Sequence, residues 1–180
     1  MDGYSVTIAA DSLAACSRLS LIVEVPSEAE QAKWMQLALD EAAKCTPTPS
    51  AFCVGAVIVD NQGNLLATGY SRELEGNTHA EANAIDKLLI DNDNDATRLQ
   101  GSDIYTTMEP CSVRLSGNVP CTRRILESGI ARVFLGTVEP DDFVKCEGVQ
   151  QLKDAGVQVY TVQGFTEQCL EAARRGHSSS

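Results

Sequence analysis

The sequence is poor in aromatic residues and in positive charge, and both shortages restrict its partners. Aromatic residues make up 5% of the 180 residues, and 14 lysines and arginines stand against 25 aspartates and glutamates, a formal charge of −11. Proteins that bind nucleic acids need basic surfaces for phosphates and aromatic side chains on which bases stack. We therefore expect no nucleic-acid partner, although Arg123 and Arg124 leave open either a local basic patch or a solvated surface pair.

The sequence also lacks a long hydrophobic run and a regular pattern of cysteines. The apolar stretch at residues 19–25 is too short to cross a membrane, and its flanks are too acidic for a signal peptide. The seven cysteines are an odd number and are scattered, which is typical of buried apolar residues or metal ligands in a reducing compartment. We therefore predict a cytoplasmic protein without a membrane partner.

The order of apolar patterns predicts one α/β domain. A helix is expected to begin at Ser27, because Glu30 three residues later completes a capping box. The expected strands are 54–60 and 65–70, which form a hairpin, and 104–107, 131–137 and 157–162, which alternate with helices. Gly55 in the first strand indicates the close approach of a ligand, or a bulge. We predict a three-layer α/β/α fold with a mixed five-stranded sheet whose last two strands are parallel.

The predicted domain spans residues 26–175. Residues 1–25 are expected to form an N-terminal extension, and residues 176–180 a flexible tail. The second histidine, His177, lies in that tail and is expected to take no part in chemistry.

The stretch between residues 77 and 121 carries the chemical signal. It contains His79 and Glu81 in a His-x-Glu motif, then Cys111 and Cys121, each preceded by proline. One imidazole and two thiolates are typical of a catalytic zinc site that leaves its fourth position open. His-x-Glu followed by Pro-Cys and a second cysteine is also the signature of zinc-dependent nucleobase deaminases. We therefore predict that His79, Cys111 and Cys121 bind Zn²⁺.

Glu81 is the predicted catalytic residue. Replacing a ring amine with water requires an acidified water, a protonated ring nitrogen and a proton for the departing amine. Zinc lowers the pKa of its bound water to about 7, and a carboxylate that does not bind the metal moves the protons. Both His79 and Glu81 are expected in the first turn of one helix, and Cys121 at the start of another, where helix dipoles favour thiolates.

The same residues resemble the pyrimidine deaminases of riboflavin biosynthesis. The matching stretches are residues 54–59, 78–84, 107–112, 117–121 and 148–157. The resemblance covers about residues 27–165, and it implies a cytidine-deaminase fold, a catalytic zinc and frequent homodimers. It also implies hydrolytic release of ammonia from a phosphorylated pyrimidine.

Two details make the sequence similar to the fungal branch of that family. Residues 112–120 separate the two cysteines, whereas most cytosine and adenosine deaminases place only two residues there. Ala51 and Ser71 stand where bacterial members usually have asparagine and histidine, which help to bind a closed ribose. The resemblance therefore implies a diaminopyrimidinone with an open ribityl phosphate as the substrate.

Substrate contacts are predicted at four positions within or beside the matching stretches. Asn77 would hold the pyrimidine or the ribityl end. Arg114 would either meet the phosphate or be a surface charge. The remaining two predicted contacts are Ser71 and Asn118.

Two other functions remain open at this point. One is a nucleoside or nucleic-acid deaminase acting on transfer RNA or cytosine, which would require the basic groove and stacking residues that are scarce here. The other is a non-catalytic, zinc-stabilised module, which would have no need of a free carboxylate at Glu81.

Overall fold

A computed structural model of the protein describes residues 24–114, 116–138 and 147–177. Most of the predicted N-terminal extension lies outside the described residues. So do Cys16 and Cys146. The described cysteines without a predicted metal role, Cys45, Cys53 and Cys169, are buried as expected.

Five strands form one mixed sheet in the order β2-β1-β3-β4-β5. Their bounds are β1 Gly55–Val59, β2 Leu65–Tyr70, β3 Asp103–Thr106, β4 Arg132–Leu135 and β5 Gln158–Thr161. β1 pairs antiparallel with β2 and β3, whereas β3 with β4 and β4 with β5 are parallel. The predicted hairpin and the parallel pairing of the last two strands are confirmed, and the parallel part of the sheet includes one more strand.

Helices cover both faces of this sheet. They are α1 Glu28–Lys44, α2 Ala80–Asp91, α3 Cys121–Glu127, α4 Gly148–Asp154 and α5 Thr166–Ala173. Because side chains alternate along a strand, Ile104 packs with α2, α3 and α4 while the adjacent Tyr105 packs with α1 and α5. The two apolar clusters confirm the predicted α/β/α layers. A short 3₁₀ helix at Ala96–Leu99 was not predicted.

The capping box of α1 is present as predicted. The Glu30 amide donates to the Ser27 hydroxyl at 3.3 Å, and the Ser27 amide donates to the Glu30 carboxylate at 3.0 Å. α2 begins at Ala80, with His79 as its N-cap.

The close approach to the backbone that was predicted at Gly55 is confirmed, but the approaching group is helix α1 and neither a ligand nor a bulge. A Cβ atom at Gly55 would lie 2.0 Å from the carbonyl oxygen of Ala38, and one at Gly69 would lie 2.3 Å from the carbonyl oxygen of Ala80. Glycine therefore lets α1 and α2 pack directly on the hairpin. At Gly69 this packing fixes the first turn of α2, which carries Glu81.

A buried ion pair joins the amino ends of two parallel strands. Arg132 of β4 donates to both carboxylate oxygens of Asp103 in β3, at 2.5 and 2.8 Å, and to the carbonyl of Glu24 at 2.7 Å. This pair lies at the end of the strands opposite the predicted chemistry. The carboxyl end of β3 leads instead into Cys111, as is typical of sites in α/β folds.

Surface charges of the predicted basic patch are paired with acids. Arg123 contacts Glu127 and Arg124 contacts Asp86, at 2.7 and 2.6 Å. The solvated-pair alternative therefore fits better than a patch for phosphates. No helix among the described residues combines the length and the apolar character needed to span a bilayer.

Candidate metal and catalytic site

Two helix starts and the loop after one strand bring the predicted metal ligands together. His79 precedes α2, Cys121 is the first residue of α3, and Cys111 lies in the loop after β3. The ligand atoms of the three residues lie within 4.8 Å of one another. The His79 Nδ1 atom is 3.5 Å from the Cys111 sulfur and 3.6 Å from the Cys121 sulfur. Residues separated by 42 positions in the chain therefore converge as the motif predicted.

The two thiols differ in acidity. A hydrogen bond with Cys121, and contact with His79, lower the pKa of Cys111 to about 4 in spite of its burial. The hydrogen bond with Cys111, together with burial, raises the pKa of Cys121. Cys111 is therefore the first of the two thiols to lose its proton. An imidazole nitrogen with two such sulfurs is a donor set that fits a borderline-soft ion such as zinc.

Glu81 lies beside this group without belonging to it. Its side chain is 3% exposed, and the converging ligand atoms among the described residues are those of His79, Cys111 and Cys121. Burial raises the pKa of the Glu81 carboxyl, His79 lowers it, and Cys111 raises it further. A carboxyl with a raised pKa can both accept and donate a proton near neutral pH.

A cavity of about 280 Å³ opens onto this group. Its wall contains His79, Glu81, Cys111, Ser71, Asn77 and Arg114. Three of the four predicted substrate contacts therefore line the same cavity as the predicted metal ligands. Asn118 is exposed and is absent from the cavity wall.

The contacts of the cavity-lining residues restrict what each can do. The Ser71 hydroxyl accepts a hydrogen bond from the Val54 amide at 3.0 Å, so it also ties the cavity wall to β1. The guanidinium of Arg114 donates to the carbonyl of Asn77. Arg114 is half-buried and lines the cavity, which distinguishes it from a solvated surface charge.

Glu109, which directly precedes the Pro-Cys pair at residues 110 and 111, carried no predicted role. Glu109 is 8% exposed, and its carboxylate accepts from the Val149 amide at 2.8 Å at the start of α4. The Glu147 amide donates to the Ser112 hydroxyl at 3.2 Å. A Cβ atom at Gly148 would lie 2.0 Å from the carbonyl oxygen of Pro110. The first turn of α4 therefore holds the loop that carries Cys111.

Two further residues beside the cavity carried no signal in the sequence. Phe52 lines the cavity and stacks on His177, with ring centroids 5.2 Å apart, so a residue assigned to the tail packs behind the cavity wall. Arg72 also lines the cavity and has a positive φ of 63°. Arginine rarely adopts a positive φ, so the sequence gives no sign of this backbone conformation.

Comparison with known proteins places these features in a family. Residues 28–137 match the cytidine and deoxycytidylate deaminase zinc-binding region. A diaminohydroxyphosphoribosylamino-pyrimidine deaminase of Schizosaccharomyces pombe is 52% identical over 161 residues, which are 89% of this chain and 38% of that protein. The riboflavin biosynthesis protein RibD of Aquifex aeolicus is 35% identical over 130 residues, 70% of this chain and 33% of that protein. The chain thus spans less than two-fifths of either relative.

In contrast to these two relatives, one solved structure is matched by this chain over most of its own length. The crystal structure of Aspergillus oryzae Rib2 deaminase in complex with DARIPP superposes with a TM-score of 0.75 at 33% identity. The match covers 83% of this chain and 92% of that chain.

Proposed function

Because the chain belongs to the zinc-binding cytidine and deoxycytidylate deaminase family, and within it to the deaminases of riboflavin biosynthesis, we propose that it hydrolytically deaminates a diaminopyrimidinone ribityl phosphate. The observation that carries the proposal is the juxtaposition in one cavity of His79, Cys111 and Cys121 with the buried Glu81. The reaction exchanges a ring amine for the oxygen of water and releases ammonia.

The proposed metal ligands are His79, Cys111 and Cys121, which would hold Zn²⁺. Three protein ligands would leave one coordination position of zinc for water. When bound, zinc would lower the pKa of that water to about 7. The low pKa of Cys111 favours metal binding, because a thiolate is the form that coordinates.

The proposed acid/base is Glu81. Its carboxylate would take a proton from the attacking water and give it to a ring nitrogen, and would then take the second proton from the new hydroxyl group on the ring carbon and give it to the departing amine. The buried position excludes bulk water from the proton path, and the raised pKa keeps both protonation states accessible.

The proposed substrate contacts divide along the cavity. Asn77 and Ser71 would contact the pyrimidine or the ribityl chain, and Arg114 would bind the phosphate through its guanidinium. The Schizosaccharomyces pombe relative, a diaminohydroxyphosphoribosylamino-pyrimidine deaminase, and the Aspergillus oryzae complex with DARIPP support a phosphorylated diaminopyrimidine as the substrate class. The open ribityl chain is proposed from Ala51 and Ser71, which depart from the usual bacterial residues. Asn118 is supported by the sequence resemblance alone, since it lies outside the cavity wall.

A homodimer and a cytoplasmic location stay predictions from the sequence. The alternative of a nucleic-acid deaminase gains no support from the structure, because Arg123 and Arg124 are paired with acids. The alternative of a non-catalytic zinc module is opposed by the buried carboxyl of Glu81 inside the cavity.

Ammonia release tests the proposal directly. The zinc-loaded protein is incubated with the ribityl and, separately, the ribosyl diaminopyrimidinone phosphate, with cytidine and a short RNA as controls. We expect rapid ammonia release from the ribityl compound and slow or no release from the others. Ammonia release from cytidine or RNA alone, or from none of the four compounds, would overturn the proposed function.

A further inference from the structure

Arg72 adopts a backbone conformation that arginine rarely takes. Its φ of 63° lies in the left-handed region, where glycine, asparagine and aspartate are favoured. The other two described non-glycine residues with positive φ, Asp93 and Asn94, belong to those tolerant types and lie in the turn after α2. Such outliers persist where surrounding contacts hold them, and they concentrate at functional sites.

The contacts that hold Arg72 span the wall of the cavity. Its amide donates to the carbonyl of Thr78 at 2.8 Å, which closes the loop leading to α2. Its guanidinium reaches back along the chain and donates to the carbonyls of Phe52, at 3.0 Å, and Thr46, at 2.9 Å. The same group lies 2.7 Å from the sulfur of Cys45.

These contacts join two segments that both line the cavity. One segment, residues 50–52, supplies part of the cavity wall. The other, residues 71–77, supplies Ser71 and Asn77, which are proposed substrate contacts. Among the described residues, no carboxylate lies within salt-bridge distance of Arg72, so carbonyls and a sulfur hold the guanidinium. Only a flat group with several donors can reach these acceptors together.

We propose that Arg72 is a positioning residue that fixes the wall of the substrate cavity by tying residues 50–52 to the loop of Ser71 and Asn77. It acts through that wall and takes no part in proton transfer. The expected change in KM rests on the proposed deaminase function. The protection of the cavity wall from hydrogen exchange can be measured without substrate.

The kinetic test uses two substitutions that separate the side chain from the backbone. Arg72→Gly removes the guanidinium and accepts a φ of 63° without strain, and Arg72→Lys keeps the charge but loses the planar set of donors. For the ribityl substrate we expect both variants to raise KM about tenfold with kcat within about twofold of wild type, as expected when uniform binding is lost. An unchanged KM in Arg72→Lys would overturn the proposal.

Arg175 provides a matched control. It donates to the carbonyls of Ala42 and Cys45, at 2.7 and 3.1 Å, and so ties down the end of α1 beside the segment that Arg72 holds. It does not line the cavity. Arg175→Ala is expected to lower the melting temperature and leave KM unchanged. A rise in KM equal to that of Arg72→Gly would mean that general loosening is responsible, and the proposal would fail.

Amide hydrogen exchange of residues 50–54 tests the wall independently of catalysis. In Arg72→Gly we expect exchange of this segment to rise about tenfold, while amides of α2 stay as protected as in wild type. Unchanged exchange in this segment overturns the inference even if the deaminase activity is real. If exchange is faster in Arg72→Gly but the wild-type protein releases no ammonia, the role of Arg72 in the cavity wall is supported and the proposed function is rejected.

Discussion

The carboxylate oxygen Oε1 of Glu81 lies 3.3 Å from the hydroxyl oxygen of Thr106 at the carboxyl end of β3. The same hydroxyl lies 3.0 Å from the carbonyl oxygen of Met108. Because a hydroxyl can donate one hydrogen bond and accept others, Thr106 can pair with Glu81 whether the carboxyl is ionised or protonated. In the proposed reaction, Glu81 would therefore keep a hydrogen-bond partner in both of its charge states.

Glu81→Gln should separate catalysis from metal binding. The amide keeps the size of the side chain but cannot transfer protons, so we expect ammonia release to fall by about 10²–10⁴-fold with the zinc content unchanged. Steady-state ammonia assays and metal analysis of the same preparation measure both quantities. Glu41→Gln, at another buried glutamate, is the control and should keep its activity. Loss of zinc from Glu81→Gln would contradict the proposed role.

Metal removal should reduce both activity and stability. A ligand that binds only the folded state stabilises it by about 4 kcal/mol at a thousand times its Kd. Dialysis against a chelator is therefore expected to abolish ammonia release and to lower the melting temperature, and added zinc should restore both.

Substituting each of the two histidines in turn shows which of them binds the metal. His79→Ala should remove the response of the melting temperature to zinc, whereas His177→Ala should keep it. An equal response to zinc in His79→Ala and wild type would show that the ion binds elsewhere.

The metal-free protein should show unequal cysteine reactivity. The pKa of Cys111 is lowered to about 4, whereas burial raises the pKa of Cys45 and of Cys169 to about 12. At pH 6 the Cys111 sulfur is therefore above its pKa and is a thiolate, while the other two are below theirs and remain thiols. Iodoacetamide at pH 6 is expected to modify Cys111 first, as measured by peptide mass spectrometry.

Zinc and pH give the controls for this prediction. Bound zinc should protect Cys111, because a coordinated sulfur is a weaker nucleophile. Lowering the pH through 4 should slow the modification as the thiolate is protonated. Modification of Cys45 before Cys111 at pH 6 would be inconsistent with the described geometry.

Gly55→Ala should destabilise the fold by steric overlap with α1. The added methyl would lie 2.0 Å from the Ala38 carbonyl oxygen, and relieving this contact requires α1 to move. Overpacking of this kind typically costs about 1–3 kcal/mol of unfolding free energy, measured by urea denaturation. Gly63→Ala is the comparison, because open space surrounds it and only its φ of 82° opposes alanine. We expect a smaller loss of about 1 kcal/mol there. Equal losses would argue against the packing explanation.

Some contacts around the cavity could not be predicted from the sequence, since they join positions far apart in the chain. Glu109 holds the start of α4 through Val149, and Arg72 reaches the segment of Phe52. Neither pair shares a motif or a periodic pattern. The substrate contact at Asn118 stays a prediction from the resemblance, because the loop leaves this residue exposed and outside the cavity wall.

The amino-acid sequence by itself determined the capping box of α1, the strand order along the chain and the set of chemical groups at His79, Glu81, Cys111 and Cys121. These features depend on residues that are close neighbours in the chain, and backbone geometry allows such neighbours only a few conformations. The motif predicted that the two sulfurs meet the imidazole, and the tertiary structure fixed the distances between them. Only the tertiary structure decided that α1 rather than a ligand covers Gly55, and that Arg72 ties the cavity wall. Those relationships depend on how helices pack across the sheet, which brings together residues whose spacing in the chain carries no information about their distance.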